Sequence, residues 1–175
     1  MSRRFRPSRR PTALVALLLL GLVALRLGQG CLLEPAPQAV AEGTYRLQRV
    51  VDGDTLLLEN GARLRLIGVD TPETVKEDSP VEPWGSEASA FSKEFLSAGE
   101  VRLQLDRERV DQYDRFLVYA WVGERLLNEE LLRAGLARAR LGFNYSESFK
   151  RRFRAAEAEA RDARRGIWSR QNVGN

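Results

Sequence analysis

The sequence predicts an α+β fold in which a small five-stranded β-barrel carries three helices. Two observations predict it: short segments of strand character separated by turn residues, and segments whose apolar residues recur at helical spacing. The 175 residues leave room for one compact domain and an appendage. With 43% hydrophobic and 30% charged residues, the chain has the composition of a globular protein with a packed core.

The strands are predicted where apolar and polar residues alternate or β-branched residues cluster. The five segments are residues 44–51, 55–59, 63–69, 101–105 and 117–122. An Asn-Gly pair separates the second segment from the third, and such a pair between alternating runs is the strongest short signal of a hairpin. The first three strands are therefore predicted to form an antiparallel meander, and five strands suit a small barrel.

Residues that favour helix ends flank the three helical segments. Ser86 is predicted to be the N-cap of the first helix. Asn128 is predicted to open a second helix over residues 128–134, which Gly135 ends in a left-handed conformation. The third helix is predicted over residues 148–165 and ends at a glycine. Its basic run is interpreted as a solvated helix face rather than a phosphate-binding one.

The N-terminal part of the chain has the organisation of an export signal. Arginines precede an apolar run over residues 12–25, and small residues follow it. We interpret residues 1–33 as a signal peptide or an N-terminal membrane anchor, and residues 34–42 as a Pro/Ala linker. The folded domain is predicted over residues 43–170, followed by a C-terminal tail of residues 171–175.

The apolar run is shorter than the roughly 20 residues that a membrane-spanning helix needs, which favours a signal peptide. Flanking leucines could extend the run into an anchor, and Cys31 is a candidate for lipidation. The sequence leaves cleavage, anchoring and lipidation open. In each case we expect export: the protein is secreted, or held at the outer face of the membrane by residues 12–33.

The formal net charge of +4 belongs to the N-terminal segment. Six of the 28 basic residues lie in residues 1–31, which contain no acidic residue, so the remainder has 22 basic and 24 acidic side chains. Overall charge therefore gives no support for tight electrostatic binding of nucleic acid, and any recognition of phosphate must be local.

The chain contains no histidine, which excludes His-based catalytic triads and the usual zinc hydrolases. Hydrolysis of a phosphate ester would then require carboxylates, arginines and an oxygen-ligated metal ion such as calcium. These residue types cluster in three segments of the sequence.

Residues 51–55 place two aspartates around a glycine at the junction of two predicted strands. In residues 65–74, Arg65 lies on a predicted strand that ends in an acidic turn. Residues 111–115 place Arg115 just before another strand. Taken singly, these segments are explained by a tight turn, a turn cap or a surface arginine. Their combination points to a phosphate site.

Together these segments resemble the thermonuclease, or staphylococcal nuclease-like, family. The resemblance extends over residues 43–169 and includes residues 84–91, 127–129, 133–137 and 166–168. It implies a five-stranded OB-fold barrel with three helices, in agreement with the fold predicted from the sequence pattern. It also implies a Ca²⁺-dependent nuclease that hydrolyses phosphodiester bonds of DNA or RNA and leaves 3′-phosphate products.

The resemblance also implies roles for the acidic residues. Asp54 and Asp70 would bind Ca²⁺ through their carboxylates and Thr71 through its main-chain carbonyl, and such hard oxygen ligands suit calcium. Glu73 matches the general base that orients or deprotonates the attacking water. Asp52 matches a position near the metal ion.

Substrate contacts follow from the same resemblance. Arg65 and Arg115 match a pair of arginines that clamp the phosphate and stabilise its developing charge. Tyr113 would contact the terminal phosphate. Phe143 or Tyr145 could provide the base-stacking platform, because a leucine stands where the family prototype has a stacking tyrosine.

Two further departures from the family pattern bear on activity. The loop at residues 75–83 is acidic where the prototype is rich in lysine, which argues against DNA contact through that loop. Asp114 replaces a glycine; aspartate tolerates a left-handed turn, but its charge could compete for Arg115.

The expected partners are DNA or RNA, and also the membrane if the N-terminal segment is retained. We expect a monomer. A non-catalytic or weakly active OB-fold module that binds nucleic acid at the cell surface is the alternative interpretation.

Overall fold

The computed structural model of the protein describes residues 39–74 and 82–169. The predicted signal or anchor, the first part of the linker, most of the acidic loop and the C-terminal tail lie outside the described residues. No helix in the described ranges is long and apolar enough to cross a membrane. At the end of the predicted linker, Val40 is buried in the core and the Glu42 carboxylate accepts a hydrogen bond from the Leu105 amide.

The described residues form eight strands and three α-helices. The strands are β1 (Gly43–Val50), β2 (Thr55–Leu58), β3 (Arg63–Leu66), β4 (Val69–Asp70), β5 (Glu100–Gln104), β6 (Phe116–Val122), β7 (Arg125–Leu126) and β8 (Arg138–Ala139). The helices are α1 (Gly85–Phe95), α2 (Leu127–Arg133) and α3 (Glu147–Asp162), followed by a short 3₁₀ turn (Gly166–Trp168). Three of the strands, β4, β7 and β8, contain only two residues each.

Five strands close into a barrel, as the sequence predicts. The order of the main sheet is β3-β2-β1-β5-β6-β7, and its neighbours pair antiparallel. A parallel pairing of β3 with β6 closes the five strands β3, β2, β1, β5 and β6 into the barrel, and β7 extends the sheet beyond β6. Alternate residues along the strands are buried and form the core, including Leu56, Leu58, Leu64, Leu66, Val101, Leu103 and Val118.

The pairing of β3 with β6 positions the functional part of the chain. Its parallel register places Leu64 beside Phe116 and Arg65 beside Leu117. Because Arg115 immediately precedes β6, barrel closure brings Arg115 next to the strand that carries Arg65. Two arginines that are 50 positions apart in the sequence thus come to one edge of the barrel.

The strand predicted over residues 63–69 is shorter in the structure and ends at Leu66. Gly68 adopts a left-handed conformation with φ of 76°, and a Cβ atom at this position would lie 2.7 Å from the Phe153 ring. The chain therefore turns, and β4 leaves the barrel to pair with β8. The acidic turn that was predicted at the end of the 63–69 strand therefore lies on the two-stranded β4–β8 ribbon, outside the barrel.

The predicted N-caps of the first two helices are wrong. Helix α1 begins after Trp84, which has a φ of 73°, while the Ser86 hydroxyl donates to Glu87. The first residue of the helix, Gly85, is closely packed: a Cβ atom there would lie 2.9 Å from the Glu73 carbonyl oxygen.

The ends of α2 and α3 meet through their main chains. Gly135 ends α2 with a φ of 71°, as predicted, and its carbonyl accepts a hydrogen bond of 2.8 Å from the Ile167 amide. Helix α3 ends at Asp162 rather than at residue 165, because Arg164 adopts the left-handed conformation that closes the helix. The Arg165 amide then donates to the Ala160 carbonyl, as in a Schellman motif.

Ion pairs occupy much of the basic run on α3. Arg161 pairs with Glu157 on the same helix, and Arg152 reaches Glu129 on α2. Arg133 of α2 contacts carboxylates of both helices. The interpretation of this run as a solvated helix face is compatible with these contacts, which were not predicted from the sequence.

Asn128 is a buried cross-link rather than the predicted helix cap. Helix α2 begins at Leu127, and the fully buried Asn128 side chain points back to the barrel. Its amide oxygen accepts a 3.1 Å hydrogen bond from the Ala120 amide, and its Nδ2 donates to the carbonyls of Ile67 (2.9 Å) and Val118 (3.3 Å). One side chain therefore joins α2, β6 and the turn after β3.

We predict that Asn128→Ala lowers the free energy of unfolding by about 2–4 kcal/mol, because the buried main-chain groups of Ile67, Val118 and Ala120 lose a hydrogen-bond partner. Urea denaturation measures the change. Asn144→Ala is the matched control, since Asn144 is exposed, and it should shift stability by less than about 0.5 kcal/mol. Equal stabilities of the two variants would contradict the assigned role of Asn128.

Candidate active site

The turn between β1 and β2 places Asp54 in the interior. The Val51 amide donates to the Thr55 carbonyl, and the Asp54 amide donates to the Asp52 carboxylate at 3.1 Å. Helix α1 presses on this turn: the Ser92 hydroxyl donates to the Gly53 carbonyl at 2.6 Å. As a result the Asp54 residue is only 6% exposed.

The Arg65 guanidinium lies between two carboxylates. Its Nη1 is 2.9 Å from Asp54 Oδ2 and donates to the Val69 carbonyl at 2.8 Å. Its Nη2 donates to Asp70 Oδ1 at 2.8 Å. These three contacts, one with the β1–β2 turn and two with β4, fix the plane of the guanidinium and orient its remaining donors.

The contacts of Asp54 only partly offset the free-energy cost of burying its negative charge. It accepts a 2.8 Å hydrogen bond from the Thr71 amide in addition to its contact with Arg65. Burial raises the pKa of Asp54 to about 7; the Arg65 charge acts in the opposite direction, and the Asp52 charge adds to the increase. A further positive charge beside Asp54 would favour its ionised form.

The oxygen donors around this carboxylate fit a hard cation. Asp54 and Asp70 share Arg65 as a partner, and the Thr71 main chain follows directly. Within the described residues, no group of three or more acidic, histidine or cysteine side chains lies close enough to hold a metal ion by itself. A cation here would therefore depend on two carboxylates, main-chain oxygen and water or substrate, which is compatible with calcium coordination.

A cavity of about 360 Å³ lies in front of Arg65 and Asp70. Three segments line it: residues 65–70, residues 108–117 and the chain after β8. Among the predicted site residues, those in the lining are Arg65, Asp70, Tyr113, Arg115 and Phe143. Asp54 and Thr71 are absent from the lining and adjoin it through their contacts with Arg65 and with each other.

Arg115 reaches the cavity from a tight turn built on Asp111. The Asp111 Oδ2 atom accepts from both Nε and Nη2 of Arg115 at 2.8 Å, and Oδ1 accepts from the amides of Tyr113 and Arg115. Burial of this carboxyl opposes ionisation, but the hydrogen bonds from Arg115 and Tyr113 outweigh it and lower the pKa of Asp111.

Asp114 adopts a left-handed conformation with φ of 57°, which aspartate tolerates better than most residues. The expected competition for Arg115 comes from a different residue. Asp111, three positions earlier, pairs with the guanidinium, because the turn directs its carboxylate toward Arg115.

Two exposed aromatic rings stand at the cavity. Tyr113 is 66% exposed and lies 5.2 Å from the Arg115 guanidinium carbon, while Phe143 is 54% exposed. Tyr145 is fully buried, so its predicted alternative role as a base-stacking platform is wrong. Its ring packs against Phe153 in the core instead.

Glu73, the predicted general base, does not line the cavity. Its amide donates to the Glu82 carboxylate at 3.1 Å, and its carbonyl accepts from the Glu82 amide at 3.0 Å. Within the described residues its side chain forms no hydrogen bond or ion pair. Asp52 also lies outside the cavity lining and acts on the site through the Asp54 amide.

Sequence reasoning also missed Arg140. Arg140 lines the cavity, and its Nη1 is 3.9 Å from Asp70 Oδ2. It belongs to none of the three sequence segments that suggested a phosphate site. Only the pairing of β4 with β8 places it beside Asp70, and no local pattern in the sequence predicts this two-residue ribbon.

Comparisons with known proteins give relatives over most of the chain. A family model described as staphylococcal nuclease homologue matches residues 63–170. A thermonuclease of Staphylococcus hyicus is 43% identical over 131 residues, which covers 73% of this chain and 77% of that protein. A thermonuclease of Staphylococcus intermedius is 42% identical over 130 residues, with the same coverage of 73% and 77%.

A relative from another genus is also similar to this chain. Endonuclease YncB of Bacillus subtilis is 38% identical over 128 residues, covering 71% of this chain and 61% of that protein. The match to the family model begins at Arg63 and includes β3 to β8, the three helices and the residues that line the cavity. The chain therefore belongs to the staphylococcal nuclease homologue family.

Proposed function

We propose that the protein is a Ca²⁺-dependent nuclease that hydrolyses phosphodiester bonds of DNA or RNA and leaves 3′-phosphate products. Membership of a family whose relatives are named thermonuclease and endonuclease supports a nuclease. The single observation that carries the proposal is the meeting of Arg65 and Arg115 at one cavity, with Asp70 beside them and Asp54 behind.

The two arginines are suited to hold the scissile phosphate. Each has a carboxylate partner that fixes its orientation, Asp70 for Arg65 and Asp111 for Arg115. A fixed guanidinium fork can donate two hydrogen bonds to non-bridging oxygens, and this stabilises the additional negative charge of the transition state. Substrate must compete with Asp111 for part of the Arg115 fork.

Glu73 is the proposed general base. It is partly buried and follows Thr71 closely, and its side chain is free of hydrogen bonds within the described residues. A water molecule attacks phosphorus and gives a proton to the Glu73 carboxylate. The bond between phosphorus and the 5′ oxygen breaks, the departing oxygen takes a proton from solvent, and a 3′-phosphate and a 5′-hydroxyl result.

Calcium would be held by the Asp54 and Asp70 carboxylates and the Thr71 carbonyl. When bound, it supplies positive charge beside the phosphate and a coordination position for water. The unfavourable burial of the Asp54 charge supports this assignment, because a divalent cation would compensate it.

We also propose that the protein is exported. The support is the sequence of residues 1–33, whose arginines and apolar run are typical of a signal peptide or anchor. Release into the medium follows if the segment is cleaved, and attachment to the outer face of the membrane follows if it is retained.

A non-catalytic or weakly active nucleic-acid-binding module is the second candidate. The contact of Asp111 with both Nε and Nη2 of Arg115 favours it, because part of the phosphate clamp is already occupied. Tight binding of an oligonucleotide without turnover would support this candidate.

We predict that Arg115→Ala lowers kcat by about 100-fold or more, since one donor to the transition-state oxygens is lost. The assay follows cleavage of an end-labelled oligonucleotide with calcium, and phosphatase treatment of the products detects 3′-phosphates. Arg151→Ala removes the same charge from an exposed position on α3 and should retain wild-type activity. Equal kcat values for both variants would contradict the role of Arg115.

We predict that chelation of divalent ions abolishes cleavage and that calcium restores it. Calcium should also raise the Tm of the wild-type protein, because a ligand that binds the folded state stabilises it. In Asp54→Asn, which lacks the carboxylate charge, this rise in Tm should be largely lost. A wild-type Tm that is identical in calcium and in chelator would refute the proposed calcium site.

A further inference from the structure

Three guanidinium groups line the cavity, and they differ in how far they are already bound. Arg65 is held by two carboxylates and main-chain carbonyls, and Arg115 by Asp111. Arg140 is different: its nearest carboxylate oxygen, on Asp70, is 3.9 Å away, which is beyond hydrogen-bond distance. Within the described residues, the Arg140 side chain forms no hydrogen bond.

The main chain of Arg140 is nevertheless fixed beside the site. The pairing of Asp70 with Arg138 brings β8 against β4, and the Arg140 amide donates to the Gly68 carbonyl at 2.8 Å. The loop that follows is anchored by the buried Tyr145 and by the Ser146 amide, which donates to Asp106. A firmly held main chain therefore presents a guanidinium that forms no hydrogen bond to the part of the chain that the structure describes.

The surroundings of Arg140 suit a nucleotide. The side chain is 53% exposed, and its guanidinium carbon lies 5.7 Å from the exposed Phe143 ring. An exposed aromatic ring can stack on a base, and a neighbouring cation can bind the phosphate of the same nucleotide. A guanidinium N–H group that has no hydrogen bond to another protein group can bind phosphate without the free-energy cost of breaking such a bond.

We infer that Arg140 is a substrate-binding residue of this cavity, which contacts a phosphate of the nucleic acid in the initial complex. This inference rests on the proposed nuclease function and deepens it. Arg65 and Arg115 must partly exchange their carboxylate partners for phosphate oxygens, whereas Arg140 offers its donors at once. Arg140 thus contributes to binding of substrate and transition state alike, which affects KM rather than kcat.

The test is steady-state cleavage of a labelled single-stranded octanucleotide at saturating calcium by wild type, Arg140→Ala, Arg140→Lys and the control Arg151→Ala. Arg140→Ala should raise KM about fivefold to tenfold, the loss of one charged hydrogen bond at an exposed site, and change kcat by less than about twofold. The slope of log(kcat/KM) against log salt should fall by about 0.7–0.9, since one phosphate contact is lost. Arg140→Lys should retain most of that slope.

Binding of the same octanucleotide in chelator, followed by fluorescence anisotropy, separates this inference from the proposed function. If the wild type binds but does not cleave with calcium, the nuclease proposal fails, while weaker binding by Arg140→Ala still supports the role of Arg140. An unchanged KM and salt slope in Arg140→Ala would overturn the inference. A lower kcat with unchanged KM would also overturn it, because that result assigns Arg140 to the support of Asp70.

Discussion

The contact of the Arg65 guanidinium with Asp54 and Asp70 is the constraint on which the site depends. It joins a buried carboxylate of the β1–β2 turn to a half-exposed carboxylate of β4, and a carbonyl bond to Val69 fixes its plane. Without Arg65, the Asp54 carboxylate would lose the positive charge that opposes the effect of its burial, and Asp70 would lose its 2.8 Å ion pair. The same guanidinium lines the cavity that is proposed to receive the phosphate.

The fold supplies this arrangement through contacts that lie outside the cavity. The parallel pairing of β3 with β6 brings Arg115 to the strand that carries Arg65. The turn at Gly68 separates β4 from the barrel and exposes Asp70, and Asn128 ties that turn to α2 through the Ile67 carbonyl. The rigid parts of the protein thus hold the charged groups, while the aromatic rings at the cavity remain exposed.

Much of the fold was predictable because it depends on short-range patterns. Alternating apolar residues predicted the five barrel strands, and Gly135 ends α2 in the predicted conformation. The break at Gly68 was not predictable, because it follows from contact with Phe153, 85 positions later. The buried position of Asn128 was missed for a similar reason. An asparagine side chain can cap a helix or hydrogen-bond to distant strands, and only the tertiary structure distinguishes these two roles.

The candidate site was predictable only in part, again for physical reasons. Sequence motifs identified Arg65, Asp70 and Arg115, which do share a cavity. They could not show that Asp111 rather than Asp114 holds Arg115, since this depends on the direction of a carboxylate within a turn. Arg140 belongs to no motif and enters the site through a two-residue ribbon.

Single-turnover cleavage of an oligonucleotide by Arg65→Lys tests the central claim most directly. Lysine keeps the positive charge but lacks the planar fork that contacts Asp54 and Asp70 together. With calcium present and the fold verified by circular dichroism, the rate constant should fall by at least about 100-fold relative to wild type. A rate constant equal to that of the wild type would contradict the account, because charge alone would then suffice.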